Sequence, residues 1–359
     1  MLYGKNYFLS ANTSKGFVDF FKDAQSHCER AYILKGCTGN GKSTLIEKVA
    51  TLAFADGYDV ERVHCSLNTS NLDGVIIPNL GVGLFDGSEP HITEARVQGM
   101  RDTLIDLGEY IDTDGVCDKL ELAEKLIGSI NLSYKSLYSN YAKAKAIHDD
   151  WERLYLENIS FEALDELTQI VTDKMIGDNY AEKDAKVYKR FFGASTPSSS
   201  INFIKNLTDG LKTRYFIKGR PGSGKSTMMK KIASEANLRG FDTEQYYCSF
   251  DANSLDMVVI RELGVCIFDS TQPHELFPSR MGDEIVDVYA YAIEKGTDER
   301  FAIELTKIKS LYGAYIRSGK LNLKQAINLT AELESIYRPY IDFEKIENLA
   351  EKLYGKIKK

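Results

Sequence analysis

No stretch of this chain is apolar for long enough to form a membrane helix. The opening residues, Met1-Leu2-Tyr3-Gly4-Lys5-Asn6, lack the apolar h-region of a secretory signal. Positive charge is not in excess: 45 Lys and Arg face 52 Asp and Glu, leaving a net charge of −7. A non-specific nucleic-acid binder needs a basic field, so nucleic acid is not indicated as a partner. The lysine-rich end, Lys352 to Lys359, reads as a solvated helix end. The six cysteines (Cys28, Cys37, Cys65, Cys117, Cys248, Cys266) include no C-x-x-C pair. They read as reduced thiols, and the expected location is cytoplasmic, with no membrane partner.

What is present is a pair of glycine loops. The first is Gly36-Cys37-Thr38-Gly39-Asn40-Gly41-Lys42-Ser43-Thr44, and the second is Gly219-Arg220-Pro221-Gly222-Ser223-Gly224-Lys225-Ser226-Thr227. Both satisfy G-x-x-x-x-G-K-[ST], the phosphate-binding P-loop pattern. Shifting the chain by 183 aligns positions 32–91 with 215–274 without a gap, and roughly 27 of those 60 positions are identical. Further matches carry the repeat outward. Lys135-Ser136-Leu137-Tyr138 parallels Lys309-Ser310-Leu311-Tyr312, and Phe161-Glu162 parallels Phe343-Glu344 at an offset of 182.

The expected fold is α/β: tandem duplicated P-loop domains, each a parallel sheet flanked by helices and followed by a helical segment. The halves are residues 1–187 and 188–359, with the boundary in the polar stretch Asp178 to Lys189. Each half predicts a strand at Tyr7–Leu9 or Arg190–Phe192, then a helix such as Phe17–Cys28. A strand at Ala31–Leu34 or Arg214–Ile217 opens into the loop and a helix at Lys42–Phe54 or Lys225–Asn237. A strand to Cys65 or Cys248 and a third at Gly81–Phe85 or Gly264–Phe268 follow. Four strands per half is few for this class, so a further strand can be hidden. After His91 and His274 the strand signal fades into helices, among them Leu120–Tyr141, Ala144–Leu156 and Phe161–Met175. Tyr134, Leu137, Tyr138 and Tyr141 recur at i, i+3, i+4, i+7, the spacing of a helix-packing seam.

The chemistry follows from the residue types. Loop glycines let backbone N–H groups turn inward around phosphates, and the next helix adds the positive end of its dipole. The predicted nucleotide-binding residues are Gly36, Gly39, Asn40, Gly41, Lys42, Ser43 and Thr44, with Gly219, Gly222, Ser223, Gly224, Lys225, Ser226 and Thr227. Lys42 and Lys225 can reach the β- and γ-phosphates, and Ser43 and Ser226 can each place a hydroxyl on Mg²⁺. Val82-Gly83-Leu84-Phe85-Asp86 and Val265-Cys266-Ile267-Phe268-Asp269 look like Walker B strands, whose Asp86 and Asp269 would hold that metal. Pro90-His91 and Pro273-His274 follow five residues later. His91 and His274 are candidate catalytic groups that position water or sense a terminal phosphate, or else hydrogen-bonded turn residues. Asp73 and Asp256 are either catalytic or Mg²⁺-linked carboxylates, or helix N-caps. No glutamate follows Asp86 or Asp269, so the D-E pair that polarises water in many ATPases is missing. No N-K-x-D guanine-reading motif is present, which leaves ATP as the favoured nucleotide.

The chain resembles an uncharacterised bacterial family of tandem P-loop proteins, described as ATPases or nucleotide-kinase-like. The residues carrying the resemblance are Arg190-Phe191-Phe192-Gly193-Ala194-Ser195-Thr196-Pro197, the second loop, Leu263-Gly264-Val265 and Phe268-Asp269-Ser270-Thr271-Gln272-Pro273-His274. The first half carries weaker versions, with Ser14 where the second has Pro197. The resemblance implies ATP binding and ATPase activity. The expected function is a Mg²⁺-dependent ATPase with two related sites. The alternatives are a small-molecule or nucleotide kinase with an unidentified acceptor, and a nucleotide-gated scaffold that binds a protein partner without turnover.

Overall fold

The computed structural model describes residues 4–197 and 200–359. The first half runs β1 (Gly4–Phe8), β2 (Ser10–Thr13), β3 (Gly16–Asp19), α1 (Phe21–Ser26), β4 (Arg30–Lys35), α2 (Lys42–Ala55), β5 (Val60–His64), β6 (Leu72–Ile77), β7 (Val82–Asp86) and β8 (Asp102–Asp106). A short α3 (Thr113–Val116) precedes the long α4 (Leu120–Leu156) and α5 (Phe161–Met175). The second half repeats this order as β9 (Val187–Arg190), β10 (Gly193–Ser195), β11 (Ser200–Asn202), α6 (Ile204–Leu207), β12 (Thr213–Lys218), α7 (Lys225–Leu238), β13 (Thr243–Tyr247), β14 (Leu255–Ile260), β15 (Val265–Asp269) and β16 (Asp283–Asp287). Two short helices, α8 (Val288–Ala292) and α9 (Thr297–Arg300), lead to α10 (Ala302–Tyr337) and α11 (Phe343–Ile357).

Each half builds one six-stranded sheet, in the orders β1-β5-β6-β7-β4-β8 and β9-β13-β14-β15-β12-β16. The α/β class is as expected, but the sheets are mixed rather than parallel. β6 runs antiparallel to both β5 and β7, as β14 does to β13 and β15. The connections on either side of β6 are short turns, with no room for the crossover helix that a parallel pair requires. Two strands of each six-stranded sheet escape a reading of the sequence, as does the separate two-stranded hairpin (β2–β3, β10–β11). In the sheet β6 is one, and β8, bounded by aspartates beyond the histidine, is the other. The expected helix at Phe17–Cys28 is shorter because Gly16–Asp19 pairs with Ser10–Thr13 as a hairpin. The two helices expected at Leu120–Tyr141 and Ala144–Leu156 are one continuous α4.

The helical segments exchange partners. α11 of the second half lies on α2 of the first. Ile346, Ala350, Leu353 and Ile357, spaced at helical period, share a core with Leu45, Ile46 and Val49. Reciprocally, Leu164, Val171 and Met175 of α5 pack on Met228, Met229 and Ile232 of α7. Burying a large apolar side chain contributes about 1.5–3 kcal/mol, so each exchanged helix anchors the opposite sheet by several such increments. α4 and α10 pack along each other, with Leu137, Tyr141 and Leu323 fully buried in the seam. Residues related by the repeat also meet at the centre, where Phe8 and Phe191 exchange backbone hydrogen bonds of 2.9 and 2.8 Å. Beside them Glu61 and Glu244 are buried and share Lys5 and Arg190, with N···O distances of 2.7–3.4 Å.

Candidate functional site

β4 ends at Lys35, and the chain turns through the glycine loop into α2. Gly41 and Gly224 stand just before their helices at φ +88° and +87°, a left-handed geometry that a side chain resists. No backbone N–H from Cys37 through Thr44 donates a hydrogen bond among the described residues. In the second loop only Ser223 does, to the Arg220 carbonyl. A row of free donors at a helix N-terminus is an anion cradle.

The loop lysines sit at the centre. Lys42 Nζ donates to the carbonyls of Gly36 (3.2 Å) and Cys37 (2.7 Å) and to Asn40 Oδ1 (3.2 Å), and lies 3.8 Å from Asp86 Oδ2. Lys225 Nζ donates to the Arg220 carbonyl (2.8 Å) and lies 3.6 Å from Asp269 Oδ2. Parallel pairing of β4 with β7 sets Leu34 beside Asp86, and β12 with β15 sets Ile217 beside Asp269. The strand-end carboxylate therefore arrives next to the loop by register alone. Ser43 Oγ accepts the Leu72 N–H at 2.9 Å, and Ser226 Oγ accepts that of Leu255 at 2.8 Å. Each hydroxyl keeps a lone pair for a hard cation, and with the aspartate oxygens forms a donor set that fits Mg²⁺. Thr44 and Thr227, one residue further along their helices, are exposed.

Asp73 and Asp256 lie in β6 and β14, so neither is a helix N-cap. Their histidine partners differ. His91 Nε2 lies 3.4 Å from Asp73 Oδ2, both side chains nearly fully buried, with the ring 4.6 Å from that of Phe21. Burial alone would lower the imidazole pKa, but the Asp73 carboxylate outweighs it and pushes it up to about 9. His274 packs edge-on to Phe192 instead, and burial holds its pKa below the usual value. No His274–Asp256 ion pair forms among the described residues. Burial, and then the charge of Asp269, raise the Asp256 carboxyl to about 7.

The structure thus brings Asn40, Lys42 and Asp86 together at the first loop and Lys225 and Asp269 together at the second, while His91 lies against Asp73 and His274 against Phe192. It also adds groups that the sequence reading passed over: Glu334 and Glu152, brought by helices of the opposite half, and Asp298, on α9 of the loop's own half. Thr38 Oγ1 donates to Glu334 of α10 at 3.0 Å. A Cβ at Gly222 would collide with the backbone carbonyl of Glu152 of α4. Arg220 pairs with Asp298 at 2.8 Å, which also accepts from Tyr155 of α4 at 2.7 Å. Glu152 and Glu334 are 182 apart, the offset already visible at Phe161 and Phe343.

A cleft of about 550 Å³ lies elsewhere, at the opposite end of β4 between the halves. Its Glu61 and Glu244 are neutralised by Lys5 and Arg190. No protein-family model matches this chain, nor does any curated protein or solved structure. None of the described helices is long and apolar enough to cross a membrane.

Proposed function

We propose that this chain is a Mg²⁺-dependent ATPase with two related nucleotide sites, of the tandem P-loop kind and cytoplasmic. The observation that carries the reading is the same triad in both halves. A helix-N-terminal ammonium lies within 4 Å of a strand-end carboxylate, beside unpaired backbone N–H groups (3.8 Å for Lys42–Asp86, 3.6 Å for Lys225–Asp269). Such a set matches the charge of a triphosphate at every point where that charge lies. The loop N–H groups would hold phosphate oxygens, while Lys42 and Lys225 would stabilise charge on the β/γ bridge. Ser43 with Asp86, and Ser226 with Asp269, would hold Mg²⁺, which supplies further neutralisation of phosphate charge. His91, charged and fixed by Asp73, would act as a hydrogen-bond donor. His274, neutral, would not carry the same charge.

The test is ADP release and bound-nucleotide stoichiometry for wild type, Lys42→Ala, Lys225→Ala and the double variant. Each single variant should lose one equivalent of bound nucleotide, and the double variant should have no turnover. Undiminished turnover in the double variant would exclude the loops as the catalytic sites. Slow basal release that rises with an added nucleoside or sugar, with phosphorylated product, would assign a phosphotransferase instead.

A further inference from the structure

The missing glutamate behind Asp269 leaves the second site without an evident group to activate water. Resting on the ATPase reading above, we propose that Glu152 of α4 supplies this carboxylate in trans, so that hydrolysis at the second loop requires a residue of the first half.

Position is the first argument. The Glu152 backbone is packed directly on Gly222, which stands at φ +75° inside the loop. The turn of α4 that carries Glu152 therefore sits on the loop itself, three residues before the lysine that reaches the β/γ-phosphates. Electrostatics agree. Both Glu152 and His148 feel the charge of Lys225.

Glu152 stands in a half-buried cluster of titratable groups. His148 Nδ1 lies 3.5 Å from one carboxylate oxygen and Lys145 Nζ 4.0 Å from the other. Lys145 also pairs with Asp149 on its own helix and, at 3.2 Å, with Asp251 beyond β13, which ties α4 to the second domain. Burial raises the Glu152 carboxyl above its usual pKa, though Lys145 opposes it, and burial keeps His148 neutral at about 4. A carboxylate of raised basicity is better matched to taking a proton from water.

Divergence between the halves is the third argument. Glu334 occupies the matching place on α10, but its carboxylate is tied to the Thr38 hydroxyl. The second loop has Pro221 there, with no hydroxyl to bind Glu152. Lys145, His148 and Asp149 correspond to Ile327, Thr330 and Ala331, which carry no charge. Lys145 serves as a tether to Asp251, but fastening helix to loop needs no imidazole beside the Glu152 carboxylate.

In the proposed step a water oxygen bonds to the γ-phosphorus while the bond from that phosphorus to the β,γ-bridging oxygen breaks. The water proton passes to the Glu152 carboxylate and then to solvent, leaving ADP and inorganic phosphate.

The test uses the full chain carrying Lys42→Ala, which isolates the second site, compared with the same chain carrying E152Q or E152D in addition. ATP binding is read from the fluorescence of Trp151, the only tryptophan, and from bound-nucleotide stoichiometry. E152Q should bind ATP within about threefold of its parent, turn over about 100-fold more slowly and lose the acid limb of the pH–rate profile. E152D should keep that limb at a reduced rate. Equal turnover with an unchanged acid limb in E152Q overturns the trans base and leaves the ATPase reading standing. So does a proportionate loss of binding and rate with the limb intact, which marks a packing contact only. Wild type that binds or hydrolyses no ATP overturns the ATPase reading itself.

Discussion

His91 and His274 occupy equivalent places and carry different charges, and the cause is one neighbour. Asp73 meets His91, whereas among the described residues Asp256 makes no such pair. The pair links stability to pH. An unfolded histidine titrates near 6.5 and folded His91 near 9, so the charged imidazole stabilises the fold fully below about pH 6.5. That contribution, on the order of 3 kcal/mol, disappears as pH rises through 9. Asp73→Asn should accordingly be much less stable than wild type at pH 6, and the gap should close by about pH 9.5 in urea titrations. A gap that stays constant across that range would mean the pair does not titrate. The buried network at the centre has a different character. Glu61 and Glu244 share Arg190 and Lys5, and each also accepts from a tyrosine, Tyr7 or Tyr246, at 2.8 Å. Every charge there has a partner, which is the condition under which buried ions persist.

At the scale of elements, the glycine loops, their helices and the strand-end aspartates were legible because each is local. Spacing within nine residues defines the loop, and an apolar run ending in Asp defines the strand. β6 was not legible. Leu72–Ile77 carries aspartate and glycine near its start and pairs only with strands reached through turns, so its identity depends on register rather than pattern. β8 was hidden by aspartates at both ends and by its distance from β4, with which it pairs. Glu152 and Glu334 were invisible as site residues because helix periodicity says which face is buried, not against which half. The exchange itself has a direct consequence. Leu353→Ala lies in the second half, yet it should loosen the first, by about 2–5 kcal/mol. Hydrogen exchange should register lost protection in β4 and α2 rather than in β12 and α7. Equal loss in both would indicate that the two sheets unfold as one unit.

At the scale of the molecule, neither half is self-sufficient. Residues 1–187 alone would leave the α2 face without α11 and α5 without α7. The matching residues allow one remedy, in which two copies exchange helices with each other. A fragment of residues 1–187 should therefore run as a dimer in size-exclusion chromatography at micromolar concentration, and a folded monomer would refute the exchange. The contact of Phe8 with its own repeat-mate Phe191 has the same meaning when read as history. A residue that meets its counterpart lies on a twofold axis, and such axes arise when identical chains associate. Such a layout is what duplication and fusion of the single gene of a homodimer would leave. In a homodimer any change to one site is imposed on the other. A single chain is free of that constraint, and the halves differ: α4 has Lys145, His148 and Asp149 where α10 has Ile327, Thr330 and Ala331. The covalent join between the halves is what permits two once-identical sites to specialise.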